Sequence, residues 1–167
     1  MKYFIIIRGS AGSGKSSVAR LLQKQLKGKT AIFCPDYFYW DVCGNDENPD
    51  IIYEALHRLI DLYLKNGYNV ILEGILSSKH KNGKLRINQY LNFKKIYNIK
   101  IKLFYLSTSF NTSYQRNKNR KIVINKKIAT KIYNKSVNAR HKLETEIDIE
   151  KNTVNKISKI ILEISKT

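Results

Sequence analysis

Apolar residues along this chain come in two alternating patterns. Short unbroken runs, such as Tyr3-Phe4-Ile5-Ile6-Ile7, suit strands buried on both faces of a sheet. Longer stretches with apolar residues every three or four positions suit amphipathic helices. Residues 2–8 read as a first buried strand before a glycine-rich loop. Val18, Ala19, Leu22 and Leu26 mark a helix over 16–27 that stops at Gly28. Residues 30–34 read as a second strand, closed by Pro35. The polar stretch 41–48, with Gly44, reads as a loop, and Asn48-Pro49 offers an N-cap followed by a proline at the first helical position.

That cap opens a helix over 50–66 with Ile52, Leu56, Leu59, Ile60 and Tyr63 on one stripe and Gly67 as its stop. A third strand is expected over 69–72, a basic loop over 77–84, a helix over 85–97 and a fourth strand over 100–106. Two helices, 109–120 and 125–140, are separated by a hinge. Residues 146–149 read as a short last strand, and Asn152 as the cap of a closing helix that carries Val154, Ile157, Ile160, Ile161 and Ile164. Strand and helix alternate throughout, which predicts an α/β fold with a parallel sheet covered on both faces. No repeat or linker divides the chain, so residues 1–167 are expected to form a single domain.

Composition adds little to this picture and removes some alternatives. No apolar run approaches the roughly 20 residues that a membrane span needs. The N-terminal apolar stretch has almost no basic flank and ends in Arg8-Gly9, so it reads as a strand and not as a signal sequence. The expected location is the cytoplasm. Cys34 and Cys43 form neither a disulfide framework nor a metal-ligand pattern. The net charge of +18 is the extreme value. It would suit an anionic partner such as nucleic acid, yet the lysines spread from Lys2 to Lys166 in a chain rich in Ile, Asn and Tyr, as a coding bias would leave them. Nucleic acid is therefore the less favoured partner and a small molecule the favoured one; whether the charge is functional stays open at this point.

The chemistry begins in the loop Gly9-Ser10-Ala11-Gly12-Ser13-Gly14-Lys15-Ser16, followed by Ser17. It fits G-x-x-x-x-G-K-[ST] at every position, after a strand and before a helix. Glycines let successive backbone N–H groups turn inward around phosphate oxygens, and the helix N-terminus adds a favourable dipole. In such a loop Lys15 reaches the β- and γ-phosphates and the Ser16 hydroxyl ligates Mg²⁺. A carboxylate beyond the second strand, Asp36, would stand near that loop, because ligands in parallel sheets sit past the carboxyl ends of the strands. There it would orient an acceptor hydroxyl and take its proton.

Together these segments resemble the P-loop kinase superfamily, and in particular the small Zeta-toxin-like, chloramphenicol-phosphotransferase-like and uridine kinase-like kinases. The resemblance rests on R-G-x-x-G-S-G-K-S-S at 8–17, Asp36, Asn48-Pro49, V-I-L-E-G-I-L at 70–76, and the spaced arginines Arg116 and Arg120. It implies a P-loop NTPase fold of nucleoside monophosphate kinase type: a three-layer sandwich with a five-stranded parallel sheet and a helical lid near 110–135. It implies ATP or another NTP as donor, Mg²⁺ as cofactor, and Asp36 as catalytic base. It also implies Glu73 near the metal, through water, or beside the acceptor, Gly74 as a point of close substrate approach, and Arg116 and Arg120 as lid cations on the triphosphate.

The four aromatics Tyr37-Phe38-Tyr39-Trp40 cannot all point inward, so Tyr39 or Trp40 is a candidate wall for the acceptor. Many relatives carry D-x-x-R here, with the arginine on a phosphate. This chain has Tyr39 at that position, which favours an uncharged nucleoside, sugar or antibiotic-like acceptor over a phosphorylated or polynucleotide one. A polynucleotide 5′-hydroxyl kinase and a non-catalytic nucleotide-binding module are the competing readings. A GTPase switch is disfavoured, since Leu72-Glu73-Gly74 replaces D-x-x-G and Asn117-Lys118-Asn119-Arg120 lacks the aspartate of N-K-x-D. His57, His80 and His141 are expected to have no partners and receive no role.

Overall fold

The computed structural model describes residues 1–44, 48–118 and 124–167. The chain runs through β1 (Tyr3–Gly9), α1 (Lys15–Gln25), β2 (Thr30–Phe33) and the short α2 (Pro35–Tyr37), which continues into a π-helical turn, Phe38–Val42. Next come α3 (Pro49–Lys65), β3 (Asn69–Gly74), a 3₁₀ stretch Arg86–Asn92 that leads into α4 (Phe93–Tyr97), and β4 (Lys100–Ser107). Helices α5 (Phe110–Lys118) and α6 (Lys126–Asn138), strand β5 (Glu144–Asp148) and α7 (Val154–Lys166) complete the described elements.

The strands form one parallel sheet in the order β2-β3-β1-β4-β5. Ile5 of β1 sits between Ile71 of β3 and Lys102 of β4. The unbroken apolar run of β1 is explained by its place at the centre. Phe4 and Ile6 pack on one face with Tyr53, Ile60 and Leu64 of α3, while Ile5 and Ile7 pack on the other with Val18 and Leu22 of α1 and Ile157 and Ile161 of α7. All four β1 residues are fully buried, each contributing about 1.5–3 kcal/mol relative to exposure. Three layers result, as the α/β expectation required. Among the described residues no helix is long and apolar enough to cross a membrane.

Several boundaries differ from the expectations, each for a physical reason. Strand β2 ends at Phe33 because Cys34 already stands as the cap of the next turn. Asp41 and Val42, expected in a loop, belong to the π-helical turn. Residues 86–92 wind as 3₁₀ because their buried side chains, Ile87 and Tyr90, with Phe93 just beyond, recur every three residues and so line up at three per turn. Strand β5 begins at Glu144, two residues early, where that carboxylate meets Arg8 and Arg140. Thr153, and not Asn152, caps α7: its hydroxyl accepts from Lys156 N–H at 3.3 Å, while the Asn152 amide donates to the Asp148 carbonyl. Two histidines expected to be alone have partners. His57 stacks 4.8 Å from Phe93, and His141 Nε2 lies 2.9 Å from Asn88 Oδ1.

Candidate active site

The carboxyl ends of β1, β2, β3 and β4 come out on the same side of the sheet, where the chain leaves β1 as the glycine loop. Helix α1 starts there with Gly14 as its cap, no capping side chain and no acidic residue in its first turn. Its leading N–H groups therefore lack a side-chain partner and favour an anion. Gly12 (φ 85°) and Gly14 (φ 82°) adopt the left-handed region. At Gly12 a Cβ would also meet the Ser113 carbonyl at 2.6 Å, so only glycine lets α5 approach the loop. At Gly14 the space is open and the conformation alone demands glycine.

Lys15 is buried and its ammonium donates to the Ser10 carbonyl at 2.8 Å, which draws it back across the loop. Ser16 Oγ donates to Glu73 Oε1 at 2.7 Å, joining the loop to the end of β3. A hydroxyl and a carboxylate at that spot, beside a phosphate cradle, are the kind of sparse oxygen set that Mg²⁺ uses when substrate phosphates and water complete its shell. Within the same loop the buried Ser10 hydroxyl has no hydrogen-bond partner among the described residues. The residues present thus fit a nucleotide's phosphates and a magnesium ion. Ser17 faces solvent on the first turn of α1.

Asp36 lies in α2, exposed, on the wall of a cleft of about 420 Å³. Tyr39, Ile52, Tyr53, Leu76 and Ile132 give the cleft an apolar body, and Ser77, Ser78 and Lys135 give it a polar side. Asp36 and Glu73 both act on the Cys34 thiol. Burial, then Glu73, then Asp36 push that thiol up to about 12, so Cys34 is an inert neutral group between two carboxylates. Burial likewise holds the Tyr53 phenol well above its ordinary range, keeping it a neutral donor.

Helix α5, in the segment expected to form a lid, is tied to the loop. Ser113 Oγ of α5 donates to the Ala11 carbonyl at 2.5 Å, and Arg116 Nη1 reaches the Gly12 carbonyl at 3.4 Å. Arg116 thus stands at the loop, whereas Arg120 lies outside the described residues, as does the rest of 119–123. Glu150 anchors the start of α5, accepting from Ser109 N–H at 2.7 Å and from Thr108 Oγ1 at 3.1 Å. Those bonds hold its carboxyl down to about 2.

Two expectations about the acceptor wall are altered. Tyr39 lines the cleft, but Trp40 is not among its lining residues; it is half exposed and packs edge-to-face on Tyr39, with ring centroids 4.6 Å apart. Gly74 makes its close approach to protein, since a Cβ there would meet Pro35 Cδ at 3.3 Å and Leu76 Cγ at 3.4 Å. The remaining site residues were invisible in sequence. Lys135 and Ile132 sit on α6 with nothing to distinguish them from other lid positions. Ser77 and Ser78 had one usable signal, their place just past a central strand.

Arg8 is the other residue that the sequence left undefined. It is fully buried on β1, one residue before the loop, paired with Glu144 and donating from Nε to the Ile75 carbonyl at 3.3 Å. Glu144 also holds Arg140, whose guanidinium lies 4.0 Å over the Tyr105 ring.

The family model described as "AAA domain" matches residues 4–131, more than half of the chain. The chain belongs to this family, and it has the fold of the P-loop kinase superfamily. Among the curated proteins none matches it by sequence. Among solved structures it is similar to the Mycobacterium tuberculosis APS kinase CysC in complex with AMPPNP and APS, at 14% identity and a TM-score of 0.67, covering 99% of this chain and 98% of that one. It is also similar to a gluconokinase from Sinorhizobium meliloti 1021, at 11% identity and 0.67, covering 97% and 93%. The Deinococcus radiodurans tunicamycin resistance protein matches at 16% identity and 0.65, covering 98% and 95%. At these identities the likeness is one of fold, and that fold is a kinase-type nucleotide-binding one.

Proposed function

We propose that this protein is an ATP- and Mg²⁺-dependent kinase that phosphorylates a hydroxyl of a small-molecule acceptor of nucleoside, sugar or antibiotic-like type. The observation that carries the reading is the pairing of a phosphate loop with a mostly apolar cleft that has Asp36 on its wall, at one end of the sheet. Glu73 bonds to the loop through Ser16, and Glu73 and Asp36 both bear on Cys34. In this reading the acceptor hydroxyl gives its proton to the Asp36 carboxylate as its oxygen bonds to the γ-phosphorus. The bond from that phosphorus to the bridging oxygen breaks, and ADP leaves.

Lys15 and the loop N–H groups bind the β- and γ-phosphate oxygens, and Arg116, with Arg120 as a second lid cation, balances charge on the transferring group. Ser16 and, through water, Glu73 would hold a magnesium ion, which would supply neutralisation of phosphate charge. Tyr39 forms a wall for the acceptor, with Trp40 behind it. A cytoplasmic location is part of the same reading. The similarity in fold to an APS kinase and a gluconokinase supports kinase chemistry here. The net charge of +18 is what favours the alternative of a polynucleotide 5′-hydroxyl acceptor.

The test is transfer of label from γ-³²P-ATP with Mg²⁺ to nucleosides, sugars, hydroxylated antibiotics and 5′-hydroxyl oligonucleotides. Transfer to one class, lost in Lys15→Ala and in Asp36→Asn while the latter still binds nucleotide, is the expected result. Full transfer in Asp36→Asn removes Asp36 as the base. Binding of ATP without transfer to any class turns the reading towards a nucleotide-binding module.

A further inference from the structure

The cleft beside Asp36 continues past Ser77 and Ser78 into a second hollow of about 400 Å³. The two lobes share Ser77, Ser78 and Lys135, and the second adds Lys79, Asn138 and Ala139. Their chemistry differs. The first is mostly apolar and has Asp36 as its acid. The second is lined by two lysines, an asparagine and two serines and, among the described residues, by no acidic residue.

Lys135 stands on the border between the lobes. Among the described residues neither it nor Lys79 takes part in an ion pair, whereas neighbouring Arg86 is engaged by Asp50 and Ser78. Lys79 is also held in a defined place. It bridges antiparallel to Leu85, and His80 N–H bonds to the Lys84 carbonyl at 2.9 Å, closing a small hairpin. Just ahead of it Leu76, a buried bulky residue, takes φ 48°. A left-handed leucine is strained, and such strain collects where a chain must be aimed at a ligand. Solvated lysines are common on a chain with 31 Lys and Arg. Two of them around one acid-free hollow, continuous with the cleft of the proposed base, are a more specific arrangement.

We infer that the acceptor is an anion. Resting on the kinase reading, its body and reacting hydroxyl occupy the lobe beside Asp36, and a phosphate, sulfate or carboxylate group lies in the second lobe between Lys79 and Lys135. Lys135 is then a specificity-determining residue. This reverses the preference for an uncharged acceptor drawn from Tyr39 standing where relatives carry arginine: the cation comes from α6 and the hairpin instead.

The test uses the full chain with Mg²⁺ and a non-hydrolysable ATP analogue filling the phosphate loop, titrated with matched pairs: uridine against uridine 5′-monophosphate, and glucose against gluconate. Trp40, the single tryptophan, reports occupancy through its contact with Tyr39. The expected result is that the anionic member of a pair binds about ten-fold tighter or more, in a salt-sensitive way. Lys135→Ala removes that preference, Lys135→Arg keeps it, and Lys131→Ala, an exposed lysine of the same helix outside the cleft, leaves it unchanged. Equal or better binding of the neutral members, no binding of either member, or an unaffected Lys135→Ala overturns the inference. The same pairs are run with labelled ATP. Transfer to neutral members alone keeps the kinase reading and overturns the anionic acceptor. Anion binding lost in Lys135→Ala, without transfer in any pair, supports the anion lobe and removes the kinase reading.

Discussion

The phosphate loop and the cleft beside Asp36 lie at the same end of the sheet and are built in opposite ways. The loop is a backbone device: contiguous residues 9–16 whose glycines fix the path, with α5 packed so closely that Gly12 has no room for a methyl group. The cleft is a side-chain device, assembled from α2, α3, the segment after β3, and α6. A backbone cradle recognises what every nucleoside triphosphate shares and tolerates no change. A cleft walled by separate elements can be altered one side chain at a time, so its lining can change without disturbing the loop.

Substitutions that act on one region and spare the other sharpen this contrast. Asp36→Asn has the largest expected effect, a loss of about 10²–10⁴-fold in phosphoryl transfer with nucleotide affinity unchanged. Equilibrium nucleotide binding and single-turnover transfer measure the two halves separately, and a parallel loss of both would erase the division. Glu144→Leu tests what lies beneath both. It leaves the fully buried Arg8 without its carboxylate and is expected to cost about 3–5 kcal/mol of stability in urea unfolding. An unchanged midpoint would mean that the pair carries no stability.

Gly12→Ala presses a methyl group against the Ser113 carbonyl in a left-handed backbone, at a cost of about 1–3 kcal/mol, and nucleotide affinity is expected to fall. Calorimetric titration with ATP reads it, and normal binding would show that α5 moves aside freely. Glu150→Gln has the smallest effect and the clearest pH signature. The folded carboxyl titrates near 2 against an ordinary value of 4.5, so its contribution is complete above 4.5 and disappears as pH falls through 2. The thermal-stability difference between wild type and Glu150→Gln should therefore shrink over that window; a difference that persists below pH 2 would exclude the carboxylate as its source.

Different parts of the molecule were legible to different degrees. The Asn48 cap and Pro49 announced α3 correctly, because a capping side chain and a proline act within one turn; Asn48 Oδ1 accepts from Asp50 N–H at 3.1 Å. The 3₁₀ stretch 86–92 and the early start of β5 were missed because both are set by what packs against them: the sheet face for Ile87 and Tyr90, and Arg8 for Glu144.

By itself the sequence determined the alternation of strands and helices, the parallel sheet and the phosphate loop. Each of these follows from residues near one another in the chain: a hydrophobic period, a cap, or glycines that free the backbone. Only the tertiary structure decided which side chains wall the cleft, that Tyr39 faces it while Trp40 stands behind, and that Lys135 borders a second, cationic lobe. Those residues are separated by tens of positions, and no local period records that Ile132 and Lys135 of α6 share a cleft with the segment after β3. Their meeting is fixed by the order of strands in the sheet and by the layers packed on it.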